Sequence, residues 1–151
     1  MTTSMTFVTG SQRPRNARVS MERFNSDMAR IIVVEEDQLI RGLLAEWLGS
    51  AGHTVAVYDR IDAMSDNAAD LVIVDIVRPR QGGCAKLRVL QTARPQTPVI
   101  AISGQFVAGS KGEYIASSLG VRRVIGKPFT RDQLLRVVGD VLGASIRTVD
   151  A

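Results

Sequence analysis

The sequence predicts an α/β protein: a five-stranded parallel sheet, doubly wound, with helices on both faces. Two observations carry this reading. Five short apolar runs, most of them rich in β-branched residues, alternate with five stretches in which apolar residues recur at helical spacing. The length of 151 residues, with 45% hydrophobic and 23% charged side chains, suits one domain with a core of its own.

Residues 1–28 precede the pattern. They are rich in Thr, Ser, Arg and Asn and show no sustained period, so they read as a disordered basic tail. A basic arm touching an anionic partner and a translation start at Met28 are the alternatives. The folded domain is expected over 29–143. Ile31 to Val34 is a β-branched run of the kind a strand buried on both faces requires. Asp37 is placed to cap a helix running to about Ala51, with Leu39, Ile40, Leu43, Leu44, Trp47 and Leu48 at helical spacing and Gly52 as its stop. His53 to Tyr58 is the second strand, followed by a short, weak helix over 62–68. Asp70 to Asp75 is the third strand, apolar between its two acids.

Pro79, Gly82 and Gly83 mark a loop before a helix from about Cys84 to Thr92. Pro98 to Ile102 is the fourth strand. A glycine-punctuated stretch leads to a helix around Glu113 to Leu119, closed by Gly120, and 121–126 contain a short fifth strand. Thr130 and Gln133 have the spacing of a capping box. It opens a last helix bearing Leu134, Leu135, Val138, Val141 and Leu142; Gly143 ends it and leaves 144–151 as a short tail.

Several function classes drop out. The apolar runs are broken by charge after a few residues, so none spans a bilayer, and the N-terminus lacks the apolar stretch of a secretory signal. Cys84 is the only cysteine, which excludes an intramolecular disulfide and makes a reducing cytoplasm the default. His53 is the only histidine; with no carboxylate or cysteine close by in sequence, it reads as a surface residue opening the second strand. Residues 1–30 hold five arginines against Glu22 and Asp27, so most of the formal +4 sits on the leading segment. Binding of nucleic acid by a basic face of the folded part therefore has weak support.

Open sheets of this kind bind ligands beyond the carboxyl ends of their strands, where the strand order reverses. The first strand delivers Glu35 and Glu36 there, the third Asp75, the fourth Ser103 and the fifth Lys127, followed by Pro128. Clustered carboxylates repel one another until a hard divalent cation such as Mg²⁺ neutralises them. An Asp carboxylate can attack a phosphoryl group to give an acyl phosphate. A lysine supplies compact positive charge for a phosphoryl oxygen, and a hydroxyl supplies a hydrogen bond. Each residue alone has a plainer reading: a solvated acidic edge, a loop cap, a structural serine, a Lys127–Glu35 pair. Five at consistent strand ends favour the site.

Four segments occur in this order at strand ends: Ile31 to Asp37, Asp70 to Pro79 with Gly83, Pro98 to Ser103, and Gly126 to Phe129. From Ile31 to Leu142 the chain resembles the receiver domain of two-component response regulators. The resemblance implies a flavodoxin-like sheet of order 2-1-3-4-5 with five helices. It implies that Asp75 is the phosphoacceptor, and that Glu35, Glu36, Asp75 and the backbone carbonyl of Val77 hold Mg²⁺. Ser103 takes the switch hydroxyl position, Lys127 contacts the phosphoryl group, and the Lys127–Pro128 bond is cis in many relatives. The phosphodonor is then a sensor histidine kinase or a histidine phosphotransfer protein. With only 144–151 after the last helix, a stand-alone receiver is expected, acting through a downstream protein rather than by substrate turnover, and without direct contact to nucleic acid or membrane. Relatives often bind such partners through the fourth helix, fifth strand and fifth helix, here Tyr114, Arg122, Arg123, Arg131 and Arg136.

Three departures from the family pattern stand out. Glu36 replaces the usual Asp and adds a methylene. Arg78 stands where Met is common. Val124 takes the place of the switch aromatic and has no ring to swing. Glu36 and Val124 keep alive a degenerate receiver that binds partners without phosphorylation. A phosphatase of the haloacid-dehalogenase type needs Asp-x-Asp, which Asp75 to Val77 lacks. Glu35 and Glu36 would repel a flavin phosphate, and the glycine fingerprint of a dinucleotide site is missing after the first strand.

Overall fold

The computed structural model describes residues 28–64, 68–76, 84–106 and 112–150. Within them Arg30–Val34 (β1), Thr54–Tyr58 (β2), Leu71–Asp75 (β3), Val99–Ser103 (β4) and Arg123–Gly126 (β5) form one parallel sheet in the order β2-β1-β3-β4-β5. The helices are Gln38–Ser50 (α1), Cys84–Ala93 (α2), Gly112–Leu119 (α3) and Arg131–Asp150 (α4). This is the doubly wound arrangement expected from the alternation.

The sheet separates two apolar layers. Ile31 and Val33 of β1, Leu71 and Ile73 of β3, and Ile100 and Ile102 of β4 pack with Leu44 and Leu48 of α1 and Leu134, Val138, Val141 and Leu142 of α4. The intervening residues Ile32, Val34, Val72, Val74, Val99 and Ala101 face Leu87 and Leu90 of α2 and Ala116 of α3. Successive side chains of a strand point to opposite faces, so a strand covered on both sides must be apolar at every position. Trp47 packs against the first layer, edge-on to Phe129 with ring centroids 6.2 Å apart.

Both expected caps form. The Asp37 carboxylate accepts the N–H groups of Leu39 and Ile40 at 2.9 and 3.2 Å. Thr130 and Gln133 close a reciprocal box, each backbone N–H bonded to the other's side chain at 2.8 and 3.1 Å. Gly52 and Gly120 take φ of 101° and 74°, the left-handed conformation that turns the chain after α1 and α3.

Four details differ from the sequence reading. Where a short helix was expected over 62–68, the chain makes a 3₁₀ turn at Ile61–Ala63, and 65–67 lie outside the described residues. Gly143 does not end the last helix, which continues to Asp150; a glycine stops a helix when it turns left-handed, and Gly143 stays helical. Leu39 is 85% exposed and Leu43 42%, because only Leu44 and Leu48, with Ile40 and Trp47 beside them, lie over the sheet. His53 is half-buried, and its Nδ1 accepts the Ala29 N–H at 3.1 Å, tying the chain before β1 to the start of β2.

Candidate functional site

The strand register brings the polar ends to one edge. Asp75, the last residue of β3, lies opposite Ile102, and Ser103 opposite Gly126. Beyond β1 comes Glu35, whose N–H is bonded to the Tyr58 carbonyl at 3.0 Å, and the chain bends at Glu36. The Glu35 side chain turns inward until it is 2% exposed, and its Oε2 accepts the Asp37 N–H at 3.1 Å. Asp75 has a side chain 6% exposed. Lys127 leaves β5 through a cis bond to Pro128, with its N–H bonded to the Ser103 carbonyl at 3.1 Å. Its Nζ stands 2.9 Å from Asp75 Oδ1 and 3.2 Å from Glu35 Oε1. One ammonium thus bridges two buried carboxylates.

These residues line an open cleft of about 440 Å³ with Glu36, Asp37, Ile76 and Gly104. Glu36 is exposed on its wall. Among the described residues no three His, Cys, Asp or Glu side chains are already gathered as a metal cage. Val77 lies outside the described residues. Ser103 is fully buried and does not line the cleft; its Oγ accepts the Gln105 N–H at 3.1 Å.

The electrostatics follow from burial. Desolvation pushes the Glu35 carboxyl above its ordinary value; the Asp37 N–H opposes this, the Asp75 charge adds to it, and Lys127 opposes it too. Burial alone would lower Lys127, but the bonds and charges of Asp75 and Glu35 together outweigh it and hold the ammonium above its ordinary value.

Below the cleft, Val124 packs half-buried against the layer that contains Phe106. Gly126 is the only residue that fits its place, since a Cβ there would lie 2.7 Å from the Phe106 carbonyl oxygen. Gly126→Ala is therefore expected to destabilise the fold by about 2 kcal/mol, the usual cost of overpacking. Urea unfolding checks this, and a midpoint equal to wild type would mean that the loop at Phe106 yields freely.

A profile of the response regulator receiver domain matches residues 31–139. This chain belongs to the receiver family. The regulator of RpoS from Escherichia coli strain K12 is 33% identical over 103 residues, covering 66% of this chain and 30% of that protein. Among solved structures, NtrX from Brucella abortus is 31% identical with a TM-score of 0.69, covering 82% of this chain and 29% of that one. The HemR receiver domain from Leptospira biflexa is 26% identical with a TM-score of 0.62, covering 75% and 93%. The chain spans less than a third of the length of the curated relatives it matches. Receivers serve two-component signalling as phosphoacceptors, and this receiver presents its acids and lysine where the sheet order reverses, between β1 and β3.

One contributor to the site escaped the sequence reading. Arg41 Nη1 donates to the carbonyl oxygens of Glu35 at 2.9 Å and Glu36 at 3.3 Å. The available signal was a cation in the first turn of a helix, against the helix dipole.

Proposed function

We propose that Asp75 accepts a phosphoryl group from a histidine kinase or phosphotransfer protein, in a Mg²⁺-dependent reaction that switches binding of a downstream protein. The observation that carries this reading is the Lys127 ammonium held between Asp75 and Glu35 in an open acidic cleft. The donor set is all oxygen, which suits a hard cation. Glu35, Glu36 and Asp75, with the carbonyl of Val77, would hold Mg²⁺. When bound, the ion supplies positive charge that offsets the carboxylates and the incoming phosphoryl oxygens.

The remaining chemistry belongs to the chain. An Asp75 carboxylate oxygen forms the bond to phosphorus as the bond from phosphorus to the donor's imidazole nitrogen breaks, leaving an acyl phosphate on Asp75. Lys127, already paired with Asp75, would follow the new charge onto a phosphoryl oxygen. The group adds close to two negative charges, and a Ser103 hydroxyl drawn toward it would shift the β4–α3 loop. Output then passes to a protein on the α3–β5–α4 face, where Arg122, Arg123, Arg131 and Arg136 are exposed; the side chain of Tyr114 lies outside the described residues. Arg123 is paired there with Asp140, whereas Arg131 reaches the Ser50 hydroxyl at the end of α1. We place this signalling in the cytoplasm, without independent substrate turnover.

The alternative is a receiver that binds partners without phosphorylation, favoured by Val124 in the place of a switch aromatic and by the burial of Ser103. Incubation with acetyl phosphate and Mg²⁺ separates the two. The proposal expects an intact-mass gain of one phosphoryl group that EDTA abolishes; no gain in either condition supports the alternative.

A further inference from the structure

We infer that Arg41 is a positioning residue for the acidic cleft, setting its affinity for a divalent cation without itself touching the ligands' carboxylates. This rests on the reading of the cleft as a Mg²⁺ site. The first turn of α1 reads Gln38, Leu39, Ile40, Arg41. A helix N-terminus carries partial positive charge, so a cation in that turn is disfavoured by the dipole. The guanidinium lies back over the turn instead of extending into solvent. Its Nη1 is shared between the Glu35 and Glu36 carbonyl oxygens, the peptide groups of the two acids on the β1 side of the cleft.

The rest of that loop is fixed from its other side. Glu35 Oε2 takes the Asp37 N–H, and the Asp37 carboxylate caps α1. The charges of Glu35 and Asp75 oppose each other across the cleft, so the backbone that carries Glu35 is held against spreading. Arg41 supplies that restraint through carbonyl oxygens, leaving carboxylate oxygens for a cation. Groups that orient ligands in this way change metal affinity by about 10- to 100-fold when removed.

Two effects of opposite sign can be separated. If Arg41 acted only by its charge, its removal would relieve repulsion and tighten Mg²⁺ binding. If it positions the loop, its removal weakens binding. Calorimetric titration with MgCl₂ of wild type, Arg41→Met and Arg41→Lys decides between them, with urea unfolding of each chain in parallel. Methionine keeps the apolar stem packed; lysine keeps the charge but loses the planar fork. The expected result is Mg²⁺ affinity about tenfold or more weaker in Arg41→Met, with Arg41→Lys in between. Unchanged or tighter binding by a folded Arg41→Met overturns the inference. Should Arg41→Met fail to fold, Arg41→Lys decides: weaker binding supports the inference and wild-type affinity overturns it. A wild-type chain that takes up no Mg²⁺ overturns the metal-site reading along with it, whereas normal wild-type binding matched by the variants overturns this inference alone.

Discussion

Asp75→Asn is expected to reduce phosphoryl uptake from acetyl phosphate to background while leaving the fold intact. The amide occupies the same volume and keeps an oxygen that can accept from Lys127, but an amide oxygen is too weak a nucleophile to form an acyl phosphate. Lys127 retains its second partner, Glu35 Oε1, at 3.2 Å, so the substitution does not strand a buried charge. Intact-mass analysis after labelling and urea unfolding check the two halves. Uptake that persists in the variant would mean that another residue is the acceptor.

Lys127→Met has the second large effect, and it falls on stability as well as signalling. The variant leaves Glu35 and Asp75, with side chains 2% and 6% exposed, facing each other without the ammonium that now lies between them. Breaking a buried pair in this way costs about 3–5 kcal/mol. The loss depends on pH in a defined sense. In wild type the raised Lys127 value means that its contribution is complete below the ordinary 10.5 and is lost only as pH climbs through the raised folded value. In the variant Glu35, already above its ordinary 4.5, rises further because a lowering influence is gone. From neutral pH down toward 4.5 the folded variant then binds more protons than its unfolded chain, so its stability recovers as pH falls. Unfolding at pH 7 and at pH 5 should show the gap to wild type narrowing in acid. A gap constant with pH would mean that repulsion between the two carboxylates is not its source. In signalling, the variant should bind a downstream partner equally with and without a beryllofluoride mimic at Asp75.

How much of this was legible in the sequence varies with the physics of each part. The sheet could be read because a strand covered on both faces must be apolar throughout, as Ile31 to Val34 and Leu71 to Val74 are. The ends of α1 and α3 were legible because Gly52 and Gly120 adopt the left-handed turn that their type permits. Gly143 carried the same letter without that conformation, so the end of α4 was misplaced. Leu39 and Leu43 show the limit of helical spacing: periodicity identifies a face but not how much of it the sheet covers.

At the cleft, sequence placed Glu35, Glu36, Asp75 and Lys127 at strand ends, and the register brings them to one wall. It could not foresee that Lys127 spans both buried carboxylates, which depends on side chains from the ends of three separate strands meeting at about 3 Å. Nor could it foresee Ser103 beneath the cleft with its hydroxyl engaged by the Gln105 N–H. Arg41 was missed because its partners are backbone carbonyls, which side-chain types do not reveal, and its place in the first turn of α1 was the one sign of it.

The central claim is that one carboxylate, that of Asp75, carries the phosphoryl group. Borohydride reduces an acyl phosphate to the alcohol, so a phosphorylated aspartate is converted to homoserine that peptide mass mapping can locate. Treatment of the acetyl phosphate-labelled chain should place homoserine at position 75 and nowhere else. Reduction at Asp37, Asp70 or any other acid, or none in a chain that has gained a phosphoryl group, would contradict the account.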